Sequence, residues 1–197
     1  ADTILDEAEK DADEALTDIQ SAKRIGLQSL EELLLKAAVK MSNETIPIEG
    51  RIAATKIIYE KADALAKECD YDMEKYMELL QDYGVFLRKY AYYAEAMNVY
   101  QRLMALSEEQ FGEEHPDTAM SYNNIGSVYY SMGDYSKALE YYSKALAVRE
   151  KVFGEEHPYT ATSYNNIGSV YDSLGDYSKA LEYYFKALAV REKVFGE

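Results

Sequence analysis

The chain has 197 residues, of which 48% are hydrophobic and only three are Pro, so it can bury a sizeable core and does not have the composition of a disordered segment. A formal net charge of −15 argues against nucleic acid and against an anionic membrane surface as partners, since both would repel it. The single cysteine, Cys69, excludes an internal disulfide and a cysteine-rich metal cluster, and reads as a small helix-face residue in a reducing compartment.

The chain opens on "ADTILDEAEK", acidic from the start, with no basic-then-apolar leader and no apolar run near the ~18 residues that span a bilayer. Ala1 is not Met, so a removed targeting segment stays open; the expected location is the cytoplasm. Residues 1–41 read as a long helix with a seam of Leu5, Ala8, Ala12, Ala15, Ile19 and Ala22, spaced by threes and fours. That helix either caps the remainder of the chain or self-associates as a coiled coil, and its Ala-rich seam buries little area per contact. "LQSLEELLLKAAVKM" (27–41) is more apolar and is expected to be buried, and "SNETIPIEG" (42–50) breaks the helix. "RIAATKIIYEKADALAKE" (51–68) reads as a second helix, with Tyr59 and Ala62 in key places of a degraded unit built from parts of 22–68.

From residue 73 onward the sequence repeats. "FGEEHP" stands at 111–116 and again at 153–158, and 117–155 laid over 159–197 differs only at Asp117/Tyr159, Met120/Thr162, Tyr130/Asp172, Met132/Leu174 and Ser143/Phe185. The period is 42 residues, and 83–106 aligns in the same register with Gly84, Ala96 and Tyr100 under Gly126, Ala138 and Tyr142. Each unit predicts two helices. Tyr122, Ile125, Tyr129 and Met132 form a helical stripe, Gly133 suits a left-handed stop and Asp134 an N-cap. The second helix runs 135–153, Gly154 ends it, and Pro158 starts the next pair. His115 and His157 lie in the links and read as turn-stabilising side chains.

This pattern resembles the tetratricopeptide repeat: a large residue, a residue before Gly, then Tyr on the first helix, and Ala, an aromatic and Ala on the second. The second unit has Tyr122, Ile125-Gly126, Tyr129, Ala138, Tyr142 and Ala145; the third has Tyr164, Ile167-Gly168, Tyr171, Ala180, Tyr184 and Ala187. The first has Leu80, Tyr83-Gly84, Leu87, Ala96, Tyr100 and Leu103. The usual unit is about 34 residues; the longer period with "NNIG" and "GEEHP" resembles the kinesin light chain type. The resemblance covers roughly 73–197. It implies an all-α, right-handed superhelical solenoid of antiparallel helix pairs with an N-terminal helical extension. The domains would be 1–72, the extension with a degenerate repeat, and 73–197, three units at about 73–114, 115–156 and 157–197.

Stacked helix pairs leave a concave face that binds partners. The groove positions implied by the resemblance are Glu78, Gln81, Asp82, Val85, Arg88 and Lys89 in the first unit. In the second they are Met120, Asn123, Asn124, Ser127, Tyr130 and Ser131. In the third they are Thr162, Asn165, Asn166, Ser169, Asp172 and Ser173. Asn amides suit an extended peptide backbone, and in related repeats an Asn at the place of Asn124 and Asn166 contacts the peptide; alternatively these amides solvate the groove or bond the neighbouring helix. The family's carboxylate clamp for chaperone C-termini is missing, since its places hold Gln81, Val85, Thr162 and Asn166. The groove is mostly neutral, with Arg88 and Lys89 at one end, which also speaks against acidic cargo.

No phosphate loop, Cys/His set or Ser/His/Asp arrangement appears, so neither an enzyme nor a cofactor nor a metal site is expected. The expected function is a non-catalytic scaffold binding a protein or peptide in the groove. Two alternatives stand beside it: a regulatory or sensor arm of a larger enzyme or signalling protein, and an oligomerisation element. The chain stops at "FGE", without a cap, so Tyr184, Ala187 and Leu188, with Phe185 in place of Ser143, are expected to be left bare. That end face predicts a fragment of a longer array, or a homo-oligomer joined through the last repeat.

Overall fold

In the first half of the described chain Asn43 closes a turn, its Oδ1 accepting from the Thr45 N–H at 3.1 Å and from the Thr45 hydroxyl at 2.6 Å. Helix α1, Ile48–Glu68, starts directly after Pro47, inside the stretch expected to be a break. A proline there loses no needed N–H. The computed structural model describes Lys10, residues 43–68 and residues 73–196. The seam of 1–41, Cys69 and the Ala62 side chain lie outside the described residues. Along α1, Ile52, Ala54, Thr55 and Ile58 are buried while Tyr59 is half-buried, so the apolar stripe runs through Ile58 and leaves Tyr59 beside it.

Six further helices form three pairs: α2 Met73–Lys89 with α3 Tyr93–Phe111, α4 Pro116–Met132 with α5 Tyr135–Phe153, and α6 Pro158–Ser173 with α7 Tyr177–Phe195. No strand occurs among the described residues. The chain separates into two compact units, Ala1–Leu79 and Leu80–Glu197, the boundary falling inside α2. Within the second unit α3 to α7 each pack on the next helix in sequence, as a solenoid requires.

The sequence sets each pair's geometry at one position. A Cβ on Gly126 would stand 2.8 Å from the Tyr142 ring, and one on Gly168 2.8 Å from the Tyr184 ring. Only hydrogen fits, so the two helices close onto the aromatic face. Tyr142 then also meets Ile167 and Val170 of the following pair, so one ring serves both the hairpin and the stack.

The links are built alike. Phe111 stacks on His115 and Phe153 on His157, centroids 4.4 Å apart in both. Each His Nδ1 accepts the backbone N–H two residues on, at 3.2 Å, and so caps the helix that opens with Pro116 or Pro158. Thr118 and Thr160 hydroxyls donate to the Gly112 and Gly154 carbonyls at 2.7 Å, tying each helix start to the preceding stop.

Candidate functional site: the first-helix face

The first helices α2, α4 and α6 are joined sideways by a ladder of polar side chains. The Asn124 amide donates to Gln81 Oε1 at 2.6 Å, and the Asn166 amide to Asn123 Oδ1 at 2.8 Å. The hydroxyls of Tyr130 and Ser173 lie 3.0 Å apart. Each rung joins residues 43 apart, the repeat period plus one, so the Asn-Asn doublet places an acceptor for the next helix beside a donor for the previous one. Asn124 is 9% exposed, deep in this seam. Asn165 sits where the ladder would continue, and its amide has no hydrogen-bond partner among the described residues.

Beside the ladder run the tyrosine hydroxyls of the second helices. The Tyr184 hydroxyl donates to Ser169 Oγ at 3.3 Å, and Ser127 and Arg88 lie near the Tyr142 and Tyr100 hydroxyls. Burial pushes the Tyr100 hydroxyl up to about 12, with the Arg88 guanidinium opposing it. Ser131 and Ser173 donate to backbone carbonyls one turn back, and so does Thr162. Met120, Val85, Asp82, Asp172 and Lys89 are exposed; the Lys89 ammonium lies 5.5 Å from the Tyr90 ring centre. Glu78 is exposed in the Ala1–Leu79 unit. The rungs were foreshadowed by the Asn-Asn doublet recurring every 42 residues; their partners were not, because the offset of 43 depends on how neighbouring helices cross.

Of the three first helices α2 carries six charged residues, while α4 and α6 are nearly uncharged. Helix α4 carries only Asp117 and α6 only Asp172, whereas α5 and α7 each carry six charged residues. The charges on the second helices are paired locally: Lys144 with Glu140 at 2.8 Å, lying over the Tyr141 ring, and Lys137 with Asp134 at 3.2 Å. The Tyr122 and Tyr164 hydroxyls donate to Glu108 and Glu150; burial, with these bonds, holds both tyrosines well above their ordinary range.

On α7, Tyr184 is half-buried on Gly168, and Ala187 is buried with Ala161, Tyr164 and Val190 rather than bare. Leu188 is 47% and Phe185 64% exposed, but Phe185 takes the place of Ser143, which is exposed in the middle pair too. The stripe that α6 covers on α5 includes Tyr135, Leu139, Leu146 and Arg149; its copies Tyr177, Leu181, Leu188 and Arg191 are exposed. Tyr177, Leu181 and Arg191 were not evident from sequence because the second helix has two apolar faces, and the pattern alone does not say which one faces the next pair.

The tetratricopeptide repeat family profile matches residues 79–151 and 125–193, more than half of the chain. The chain is a tetratricopeptide repeat protein. Its repeat is of the kinesin-light-chain-like type and its fold an all-α, superhelical solenoid. A crystal structure of BtubC (BKLC) from P. vanneervenii matches with a TM-score of 0.71 at 22% identity, over 98% of this chain and 74% of that one. A crystal structure of a Podosopora anserina putative kinesin light chain with nearly identical TPR-like repeats matches with a TM-score of 0.69 at 15% identity, over 96% and 89%. At these identities the likeness speaks for the fold. Among curated proteins, the secreted RxLR effector protein RXLR-C07 of Plasmopara halstedii is 22% identical over 61% of this chain, which spans 36% of that relative's length. Tetratricopeptide repeats generally serve as non-catalytic scaffolds for protein–protein interaction. Among the described residues no helix is long and apolar enough to cross a membrane, and no three His, Cys, Asp or Glu residues gather as a metal site.

Proposed function

We propose that this tetratricopeptide repeat protein is a non-catalytic scaffold that docks an extended peptide along its first-helix face. Residues 73–197 act as three units and 1–72 as a helical extension. The observation that carries the reading is the amide ladder. An amide offers one acceptor oxygen and two N–H donors. Asn123 uses only its oxygen in the ladder and Asn124 one N–H, while Asn165 uses neither. Unused donors and acceptors, in a row, on two helices with one charged residue each, match the alternating N–H and C=O groups of a peptide backbone. A net charge of −15 further favours protein over nucleic acid as the partner.

The ladder also dictates the choice of variants. Removing Asn124 breaks a rung to Gln81 and so perturbs the scaffold, whereas Asn165 has no rung to lose. A random peptide library is panned on the intact chain, and the winning peptides are titrated against Asn165→Ala and against Asn165→Ala with Asn123→Asp, which keeps the oxygen that accepts the Asn166 rung and removes the unused N–H donors. Each lost hydrogen bond should weaken binding about fivefold. A library that yields no binder, or binders indifferent to the double change, rejects the reading.

A further inference from the structure

Helix α6 ends against an elementary rule. Unpaired carbonyls give the last turn of a helix a partial negative charge, so cations stabilise it and anions do the reverse. Helix α2 obeys, with Arg88 and Lys89 in its last turn. Helix α6 places Asp172, its only charged residue, one position before its final residue Ser173. The carboxylate is exposed and has no hydrogen-bond or ion-pair partner among the described residues, so nothing there offsets the unfavourable placement. In the otherwise near-identical middle unit the same place holds Tyr130, so the fold does not require an acid there. A residue that breaks a local rule without a structural gain is a candidate for function.

Asp172 also terminates a row. Arg88, Tyr130 and Asp172 occupy one repeat position, and Lys89, Ser131 and Ser173 the next. The rungs make α2, α4 and α6 successive lateral neighbours, and the contact between Tyr130 and Ser173 puts the end of α6 beside the end of α4. The row runs from cationic, with Asp82 as the one acid on the same stretch of α2, through neutral, to anionic. Lys89 has no carboxylate partner among the described residues.

We propose that Asp172 is a specificity-determining residue that selects a peptide by the order of its charges: an acidic side chain over Lys89 and Arg88, an uncharged middle, and a Lys or Arg over Asp172. Packed helices lie about 10 Å apart, so two steps span about 20 Å, or roughly six residues of extended chain. That exceeds the ~10 Å screening length at 0.1 M salt, so each end is read separately. This inference rests on the docking reading and adds the ligand's charge pattern to it.

The test uses octapeptides blocked at both ends, with a middle taken from the panned binders and charges six positions apart. One carries an acid and a base, one two acids, one two bases and one no charge. The unaltered chain should prefer the acid–base peptide over the two-acid peptide by about twofold to fivefold, as an exposed ion pair allows. Asp172→Lys should reverse that preference, and Asp172→Tyr, the residue of the middle unit, should erase it. High salt should flatten all three. Thermal melting gives an independent reading: Asp172→Lys should melt higher than the unaltered chain at low salt, which shows that the variants fold. If peptides bind but Asp172→Lys leaves the order of preference unchanged, the charge-order inference falls and the docking reading stands. If no peptide binds the unaltered chain, both fall.

Discussion

Ala91 has φ 65°, in the left-handed region, at the place where the two later pairs have Gly133 at φ 79° and Gly175 at φ 77°. A Cβ in that region is strained by about 1–2 kcal/mol, while Gly loses more chain entropy on folding. Ala91→Gly should therefore stabilise the chain by roughly 0.5–1 kcal/mol, read as a higher urea midpoint at unchanged slope. The opposite change at the hairpin contact should be costly. Gly126→Ala forces a methyl to 2.8 Å from the Tyr142 ring and should lose about 1–3 kcal/mol. Much of that should return when Tyr142→Leu removes the ring, and a cost that persists in the double variant would mean the ring is not the obstacle. At this scale the sequence was partly legible. Gly126 and Tyr142 were marked by their recurrence, and bonding to the neighbouring helix was one reading open for the Asn amides, but the rung partners were not marked, because a hydrogen bond between residues 43 apart depends on a crossing angle that no local pattern encodes. Ala91 was invisible for a plainer reason: its strain is known only once φ is.

Helix boundaries were the most readable feature. The second helix predicted at 135–153 is α5 as found, and Gly133, Asp134 and Pro158 punctuate it as their chemistry dictates. Asp134 and Asp176 accept the Lys137 and Lys179 N–H groups, and these bonds with the lysine ammoniums hold both carboxyls below their ordinary 3.8. A lowered folded-state pKa means that the cap's contribution is complete above the unfolded value and fades as pH falls through the folded one. Urea midpoints followed from about pH 5 down to about pH 2 should therefore drop more steeply for the unaltered chain than for Asp134→Asn with Asp176→Asn. Helix junctions were less readable. Arg149, buried and with its pKa pulled down by that burial, donates to Ser163 Oγ at 2.8 Å and to the Tyr159 carbonyl at 3.2 Å. One repeat earlier the same junction is made by Ser107 and Ser121, 3.3 Å apart. Arg149→Ala strands a buried hydroxyl and should cost about 1.5–3 kcal/mol. Arg149→Ser, copying the earlier junction, should cost less; equal melting temperatures for the two variants would show that the contact to Ser163 is immaterial.

For the molecule as a whole, repetition made the architecture legible before any coordinates: a fixed period, small residues where helices cross, and turn residues between them left one fold class standing. The proposed binding face was legible only through family resemblance, since shape is a property of the stack and not of any unit. Stability in such a stack is a sum of units and junctions. Weakening the α5–α6 junction through Arg149→Ala should thus release the amides of α6 and α7 together in native-state hydrogen exchange, ahead of those in α4, whereas uniform loss across the unit would indicate one indivisible core.

Residues 117–155 and 159–197 differ at only five places, and that sameness has a price in the unfolded chain. A helix that should close on its own hairpin partner finds an almost indistinguishable surface one period away. Chains recovering from denaturant therefore face two nearly equivalent ways to begin, and two molecules at high concentration can trade these segments with little loss of contact. Those few differences, Asp172 among them, are what tells one copy from the other.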